Sequence, residues 1–300
     1  MKRHIVTGVL LMVAIFAYGQ ATAVCGGYNK VDKNKIDSLL RAAHAMPRST
    51  CWELFFARAF IGVPYVAHTL EVNDSEQLVV NTRELDCTTL VENVTALTLC
   101  VKQEVYTFKN FIENLTAIRY RKGVIDGYAS RLHYFTEWIV DNTEKGLVCE
   151  VQSPQSVFKA VQTINIGFMS AHPEYYKHLK NNPGLVSEIK ALEKAVNGMT
   201  FRYIPKNAIP NTKALRNAVH DGDIIAITCK KAGLDIAHLG FAVWHKDGLH
   251  LLNASMIHKK VVEEPMLLSK YLSQHPSHTG IRVIRISRFK RIVCERERYV

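Results

Sequence analysis

Apolar residues at Leu90, Val91, Val94, Leu97 and Val101 recur at three- and four-residue intervals, which predicts a helix with one buried face opening at Cys87. Similar spacing at Ile36, Leu39, Leu40 and Ala43, and again at Leu54, Phe55 and Phe60, predicts one or two helices between Asp32 and Phe60, with Pro47 dividing them. A further amphipathic helix is expected between Val105 and Arg119. The Pro173 to Gly198 stretch, with Lys and Glu alternating among Leu179, Leu185, Ile189 and Leu192, is expected as an exposed helix without a chemical role. The pattern then changes to period two. Ile224 to Thr228 reads as a strand after the Asp221-Gly222-Asp223 turn, and Ile236 to Trp244 as another.

The second of these strands places Leu239, Phe241 and Val243 on one face and His238, Gly240 and Ala242 on the other. The histidine thus shares its face with small residues, which a bulky ligand or a helix N-terminus could approach. Leu249 to Ser255 returns as the partner strand. A two-residue Asp247-Gly248 turn would set Asn253 opposite Ala242, on the His238 face but four residues along, an offset of roughly 13 Å. Twist or a bulge would have to close that gap if Asn253 is to orient His238; His258, expected further along the same strand, is the alternative.

Cys87 is the candidate nucleophile. The first-turn N–H groups of a helix are unpaired and carry the positive end of its dipole, so a thiol there ionises more readily than a free one. The competing reading is a small buried hydrophobe. Between Gly123 and Asn142, Tyr128, Ser130, Arg131, His133, Tyr134 and Trp138 read either as a wall for a polar ligand or as the solvated side of a helix packed through Leu132, Phe135, Trp138 and Ile139.

The N-terminus changes the setting of this chemistry. Met1-Lys2-Arg3-His4, an apolar run from Ile5 to Tyr18 and Ala21-Thr22-Ala23 form a basic, hydrophobic, small-x-small series, which predicts an export signal cleaved after Ala23. The run is short for a membrane span, so no span is expected after cleavage. Val24 before Cys25 is a poor match to a lipoprotein site, leaving lipid anchoring at Cys25 as the lesser alternative. All seven cysteines follow the cleavage point, and an odd number leaves at least one thiol unpaired, for which Cys87 is the candidate. No Cys-x-x-Cys pair and no His-Glu-x-x-His occurs, so no metal site and no cofactor are expected. The net charge of +11 suits an anionic envelope surface, whereas the scattered Lys and Arg residues lack the aromatic interleaving of a nucleic-acid binder.

Four blocks then carry a resemblance: Gly62 to Tyr65, Leu85-Asp86-Cys87-Thr88-Thr89, Tyr128 to Phe135, and Gly233 to Gly240. Together, in this order from about Arg58 to Ser255, they resemble a bacterial domain-of-unknown-function family described as N-acetylmuramoyl-L-alanine amidase-like, within the NlpC-type branch of the papain-like cysteine hydrolases. The resemblance implies an α+β fold: an antiparallel sheet with the nucleophile helix packed on it and added helices. It implies a Cys87 nucleophile, a His238 base and Asn253 as orienter, where many relatives have a second histidine. It places Tyr65, Asp86 and Thr88 in the substrate site, together with Ser130, Arg131 and Asp235 from the shared blocks. For Arg131 the chemistry is explicit, because an arginine fork binds a stem-peptide carboxylate in two-pronged fashion. The implied location is the periplasm and the implied partner is peptidoglycan or its muropeptide fragments, cleaved between the muramic acid lactyl group and L-alanine. A γ-D-glutamyl-diamino acid endopeptidase and a noncatalytic envelope-binding module are the alternatives. With no Gly- or Ser-rich linker and no repeat, the expected organisation is a signal peptide (1–23), one hydrolase domain (24–286) and a basic tail (287–300).

Overall fold

The computed structural model describes residues 25–153 and 157–287. The expected signal peptide, and the basic tail apart from Ser287, lie outside the described residues. The chain begins with strand β1 (Cys25–Gly27), helix α1 (Lys30–His44), helix α2 (Trp52–Arg58) and strand β2 (Leu78–Val79), which pairs in parallel with β1. Asn29 starts α1 with a capping box, accepting from the Asp32 amide at 3.0 Å, and Pro47 falls in the turn before α2 as the pattern predicts. Helix α3 (Cys87–Lys102) and helix α4 (Phe108–Arg119) follow.

The α3 helix differs from its expected single buried face. Residues from Thr89 to Val101 are all buried, because α3 is enclosed by α1, α2 and α4 on one side and the main sheet on the other. A helix buried all round suits the interior of a layered fold. The expected helix between Gly123 and Asn142 is only partly present. A 3-10 turn over Tyr128–Ser130 leads into extended backbone, and helix α5 (Phe135–Glu144) begins later. Leu132, Phe135, Trp138 and Ile139 join the core as the packing reading required.

The remaining elements are β3 (Val148–Val151), β4 (Ala160–Thr163), α6 (Phe168–Ala171), α7 (Pro183–Val196), β5 (Thr200–Pro205), α8 (Lys213–Ala218), β6 (Ile224–Cys229), β7 (Ile236–Trp244), β8 (Leu249–Ser255), β9 (Lys260–Glu263), α9 (Leu268–Ser273) and β10 (His278–Ile286). The main sheet runs β4-β5-β10-β6-β7-β8-β9, with β3 also paired to β10, and its pairings are antiparallel. This is an α+β architecture. Ile224 and Ala226 of β6 face the cluster that holds α1 to α5, whereas Ile225 and Ile227 face a second cluster with α8 and α9. Burial on both faces explains why β6 reads as an unbroken apolar run. Among the described residues no helix is long and apolar enough to cross a membrane.

Two expectations about the β7–β8 hairpin change. The ladder pairs Trp244 with Leu249 and Phe241 with Leu252, so the connection is the four residues 245–248 rather than a two-residue turn. Continued, that register sets Asn253 opposite Gly240, two residues from His238 instead of four. The small-residue face is also not where α3 docks: α3 packs with Leu239, Phe241 and Val243. Gly240 is small because β8 approaches there, since a Cβ would lie 2.6 Å from the Leu252 carbonyl oxygen and 2.8 Å from Leu251 Cδ1.

Candidate active site

Asp86 sets the nucleophile helix. As its N-cap it accepts from the Thr89 amide at 2.8 Å and from the Thr89 hydroxyl at 2.8 Å, while its own amide donates to Thr89 Oγ1 at 2.9 Å. The first helical residue, Cys87, is half-buried and free; Cys51, Cys100 and Cys229 are free too, so parity alone understated the number of thiols. Burial, joined by the negative charge of Asp86, pushes the Cys87 thiol up to about 12. The Leu239 amide and the Thr88 hydroxyl and amide act the other way. The expectation that the helix terminus favours a thiolate is therefore outweighed by desolvation in the resting site. Burial raises the Tyr65 and Tyr271 hydroxyls to about 12, helped at Tyr65 by the charges of Cys87 and Asp86 and at Tyr271 by Glu264 and then Cys87, so both rings stand near the sulfur. Tyr65 is held by its amide bond to the Lys259 carbonyl at 2.9 Å and by a bridge to Leu85.

The base candidate sits one residue from the amide that faces the sulfur. His238 Nε2 lies 2.9 Å from Asn253 Oδ1, so the shorter hairpin register brings the pair together without a bulge in β8. The orientation of the amide follows from its other partner. Asn253 Nδ2 donates to Glu264 Oε1 at 3.3 Å, and a carboxylate can only accept. Oδ1 must then accept from His238 Nε2–H, which leaves Nδ1 as the lone-pair nitrogen of a neutral ring. Burial holds the His238 imidazole below its ordinary value, opposed by the Asn253 bond and the Glu264 charge. His258 is not on β8, which ends at Ser255; it lies in the following turn and contacts Glu264 Oε2 at 3.1 Å rather than His238.

Glu264 is the residue that the sequence reading missed. It is 2% exposed and joins Asn253 to His258. Its position could have been read from the pleat had the register been known. Val262 pairs with Asn253, and two residues further on Glu264 shares the Asn253 face.

The structure does not gather the other expected substrate residues around this centre. Ser130 accepts from the Asp126 amide at 2.9 Å and donates to the Gly127 carbonyl at 2.7 Å, which closes a local turn. Asp235 is buried and accepts from the Thr136 amide at 2.7 Å, so it caps α5 from a distance where Tyr134 supplies no side-chain cap. Arg131 is buried at 5% exposure; its guanidinium pairs with Glu71, lies 3.5 Å from Glu76 and covers the Tyr128 ring at 5.0 Å. Two carboxylates of the protein already neutralise this buried guanidinium, which leaves it no net charge to offer a third. Asp86 likewise spends one carboxylate oxygen on the cap, whereas Thr88 and Tyr65 remain beside the sulfur. Among the described residues no group of three or more His, Cys, Asp or Glu is placed to hold a metal ion.

Residues 55–281 match the family described as AmiA-like, N-acetylmuramoyl-L-alanine amidase-like. A solved N-acetylmuramoyl-L-alanine amidase from Bacteroides uniformis is 42% identical, covers 79% of this chain and 98% of its own, and superposes with a TM-score of 0.74. A Bacteroides fragilis structure described provisionally as a xylanase is 44% identical over 78% of this chain and 100% of its own, with a TM-score of 0.73. A Legionella pneumophila protein of the domain-of-unknown-function 1460 family is 23% identical, covers 85% of this chain and 94% of its own, and shares the fold with a TM-score of 0.66. No curated protein matches the chain. The chain belongs to the N-acetylmuramoyl-L-alanine amidase-like family.

Proposed function

We propose that this family member is a cysteine-dependent cell-wall amidase of NlpC-type, papain-like design, exported to the periplasm, that releases L-alanyl peptides from peptidoglycan fragments. The observation that carries the reading is a thiol at the head of α3 that meets the Leu239 amide, the residue next in sequence to a histidine whose Nε2 lies 2.9 Å from Asn253 Oδ1. His238 Nδ1 takes the Cys87 proton as the sulfur attacks the amide carbonyl, and the first-turn amides of α3 hold the developing oxyanion. The protonated imidazole gives its proton to the departing L-alanyl amine, leaving a lactyl thioester on Cys87. Water, deprotonated by His238, then hydrolyses the thioester and restores the thiol. Because burial keeps the thiol and the imidazole neutral at rest, proton transfer accompanies attack instead of preceding it.

A xylanase would need two carboxyl groups flanking a sugar ring. The carboxylates nearest this centre, Asp86 and Glu264, are held by Thr89 and by Asn253 and His258. The test is mass analysis of muropeptides incubated with the mature protein, with xylan as a control. Free L-alanyl peptides support the amidase. Dipeptides ending in D-glutamate would replace it with the endopeptidase, xylo-oligosaccharides with the glycosidase, and unchanged substrate with a binding module.

A further inference from the structure

His250 lies on the wrong face of its strand to meet the centre, yet it holds a residue that does. Along β8, Leu249 and Leu251 enter the cluster with α8 and α9, whereas Leu252 and Ala254 enter the cluster around α3. By the pleat, Asn253 shares the first face and His250 the second, where it pairs with Val243. The ring is buried, and both of its nitrogens are engaged. Nδ1 lies 2.9 Å from the Glu264 carbonyl oxygen, which can only accept, so Nδ1 carries a hydrogen. Nε2 faces both oxygens of Asp247, at 3.1 and 3.2 Å, and this contact holds the Asp247 carboxyl below its ordinary value. Asp247 belongs to the 245–248 connection, so the turn that sets the β7–β8 register also anchors the ring. The His245 ring closes over it edge-on at 4.6 Å.

The contact matters because of where Glu264 stands. It follows the last residue of β9 and precedes Pro265, which has no N–H with which to carry a ladder on. The Glu264 amide donates to the Leu251 carbonyl at 2.8 Å, and its carbonyl accepts from His250. With the main chain fixed on both sides, the carboxylate meets Asn253 Nδ2 through Oε1 and His258 Nε2 through Oε2. Loss of the His250 bond frees one side of this residue and lets the carboxylate swing away from Asn253. The Asn253 amide, with no acceptor to fix Nδ2, can then turn over and present Nδ2 to His238. A flipped amide donates, which makes Nε2 the lone-pair nitrogen and puts the proton on Nδ1. That tautomer blocks the nitrogen that must accept from Cys87.

We propose that His250 is a positioning residue for the base: by holding the Glu264 main chain it keeps the Asn253 amide in the orientation that leaves His238 Nδ1 unprotonated. The inference rests on the reading of Cys87 as nucleophile and His238 as base, and it extends that centre across the sheet to the β7–β8 turn.

The experiment measures muropeptide hydrolysis and, on the same proteins with isotope-labelled histidine and no substrate, the His238 ring nitrogens by NMR. The wild type should show His238 in the Nε2–H tautomer. His250→Leu keeps bulk without a donor, and it should lower kcat about tenfold with KM unchanged while His238 becomes a mixture of tautomers. His250→Asn, whose amide nitrogen can take the place of Nδ1, should restore kcat to within about twofold of wild type and return the single tautomer. His250→Gln, which reaches toward Asp247 instead, replaces His250→Leu in the comparison if that variant does not fold. A wild-type His238 in the Nδ1–H form overturns the proposal, as does an unchanged kcat and tautomer in the variant without the donor. So does a loss of kcat that follows thermal stability in every variant while the tautomer stays fixed, since that is a packing role. The tautomer also separates this inference from the function. A change confined to the variant without the donor supports the His250 role even if muropeptides are not cleaved, whereas cleavage without any such change removes that role and leaves the amidase.

Discussion

The Cys87–His238 centre and the Arg131 cluster are built from similar materials and come to opposite ends. In the cluster, Arg131 pairs with Glu71 and approaches Glu76, and Tyr120 donates to Glu76 at 2.8 Å. His178 lies 3.6 Å from Glu71, and Tyr128 lies against both His133 and His178. The charges are spent on one another, pinning the loop that follows Tyr65 to the segment before α5, although Arg131 Nε, Glu71 Oε2 and the Tyr128 hydroxyl are left without hydrogen-bond partners. At the centre, Asn253 and Glu264 fix one edge of the imidazole and leave the other edge free. A polar cluster becomes reactive when its hydrogen bonds orient a group without exhausting it. One whose charges close on each other is a clasp.

The largest expected effect tests the free side of this contrast. Cys87→Ala should abolish hydrolysis with stability lowered by only about 1 kcal/mol, as for a half-buried residue at the edge of the core. Retained turnover would remove the nucleophile. His238→Ala should slow kcat by about a thousandfold, the range for a lost general base, with the fold intact by circular dichroism. A mild effect would show that another base serves Cys87.

The clasp should respond in the other currency. Arg131→Met leaves half-buried Glu71 and the enclosed Glu76 carboxylate without their cation, so unfolding free energy should fall by about 3 kcal/mol, with activity lost in step. Activity lost with no change in the urea midpoint would instead return Arg131 to substrate binding. Asn253→Ala should cost kcat about ten- to a hundredfold, because a base survives but its ring is no longer held in one tautomer. His258→Ala, acting only through Glu264, should cost less than Asn253→Ala; the reverse order would exchange their roles.

The smallest effect is in the pH profile. His238 must be neutral to accept a proton and its value is held below 6.5, so kcat/KM should rise with pH along a limb centred below 6.5 and then level off. The thiol ionises only at about 12, so no limb from Cys87 should appear near neutrality. A limb centred above 6.5 would mean that the imidazole is stabilised as a cation, as in a preformed thiolate pair.

Much of this was readable along the chain. Leu90, Val91, Val94 and Leu97 placed the helix, Asp86 and Thr89 sit at cap spacing, and strict alternation from Ile236 to Trp244 gave β7 with His238 opposite Leu239. These are local properties: backbone period, capping and side-chain direction depend on neighbours three or four residues away. The four spaced blocks likewise carried the family, because their order along the chain is itself sequence information. Pairing and desolvation were not readable in this way. The hairpin register hung on whether two or four residues made the turn, and that choice moved Asn253 from out of reach to 2.9 Å from His238. Arg131 reads as a ligand fork until Glu71 and Glu76 arrive from a loop 60 and 55 positions earlier. Glu264 joins Asn253 only through the β8–β9 pairing. The ionisation of Cys87 was decided by what buries it, since a helix terminus offers a modest field and desolvation in a packed site a larger opposing one. Sequence determined which groups this protein could bring to the chemistry, and the tertiary structure decided which of them were left free to act, because a free donor or lone pair is defined by the absence of partners that only the folded chain can supply.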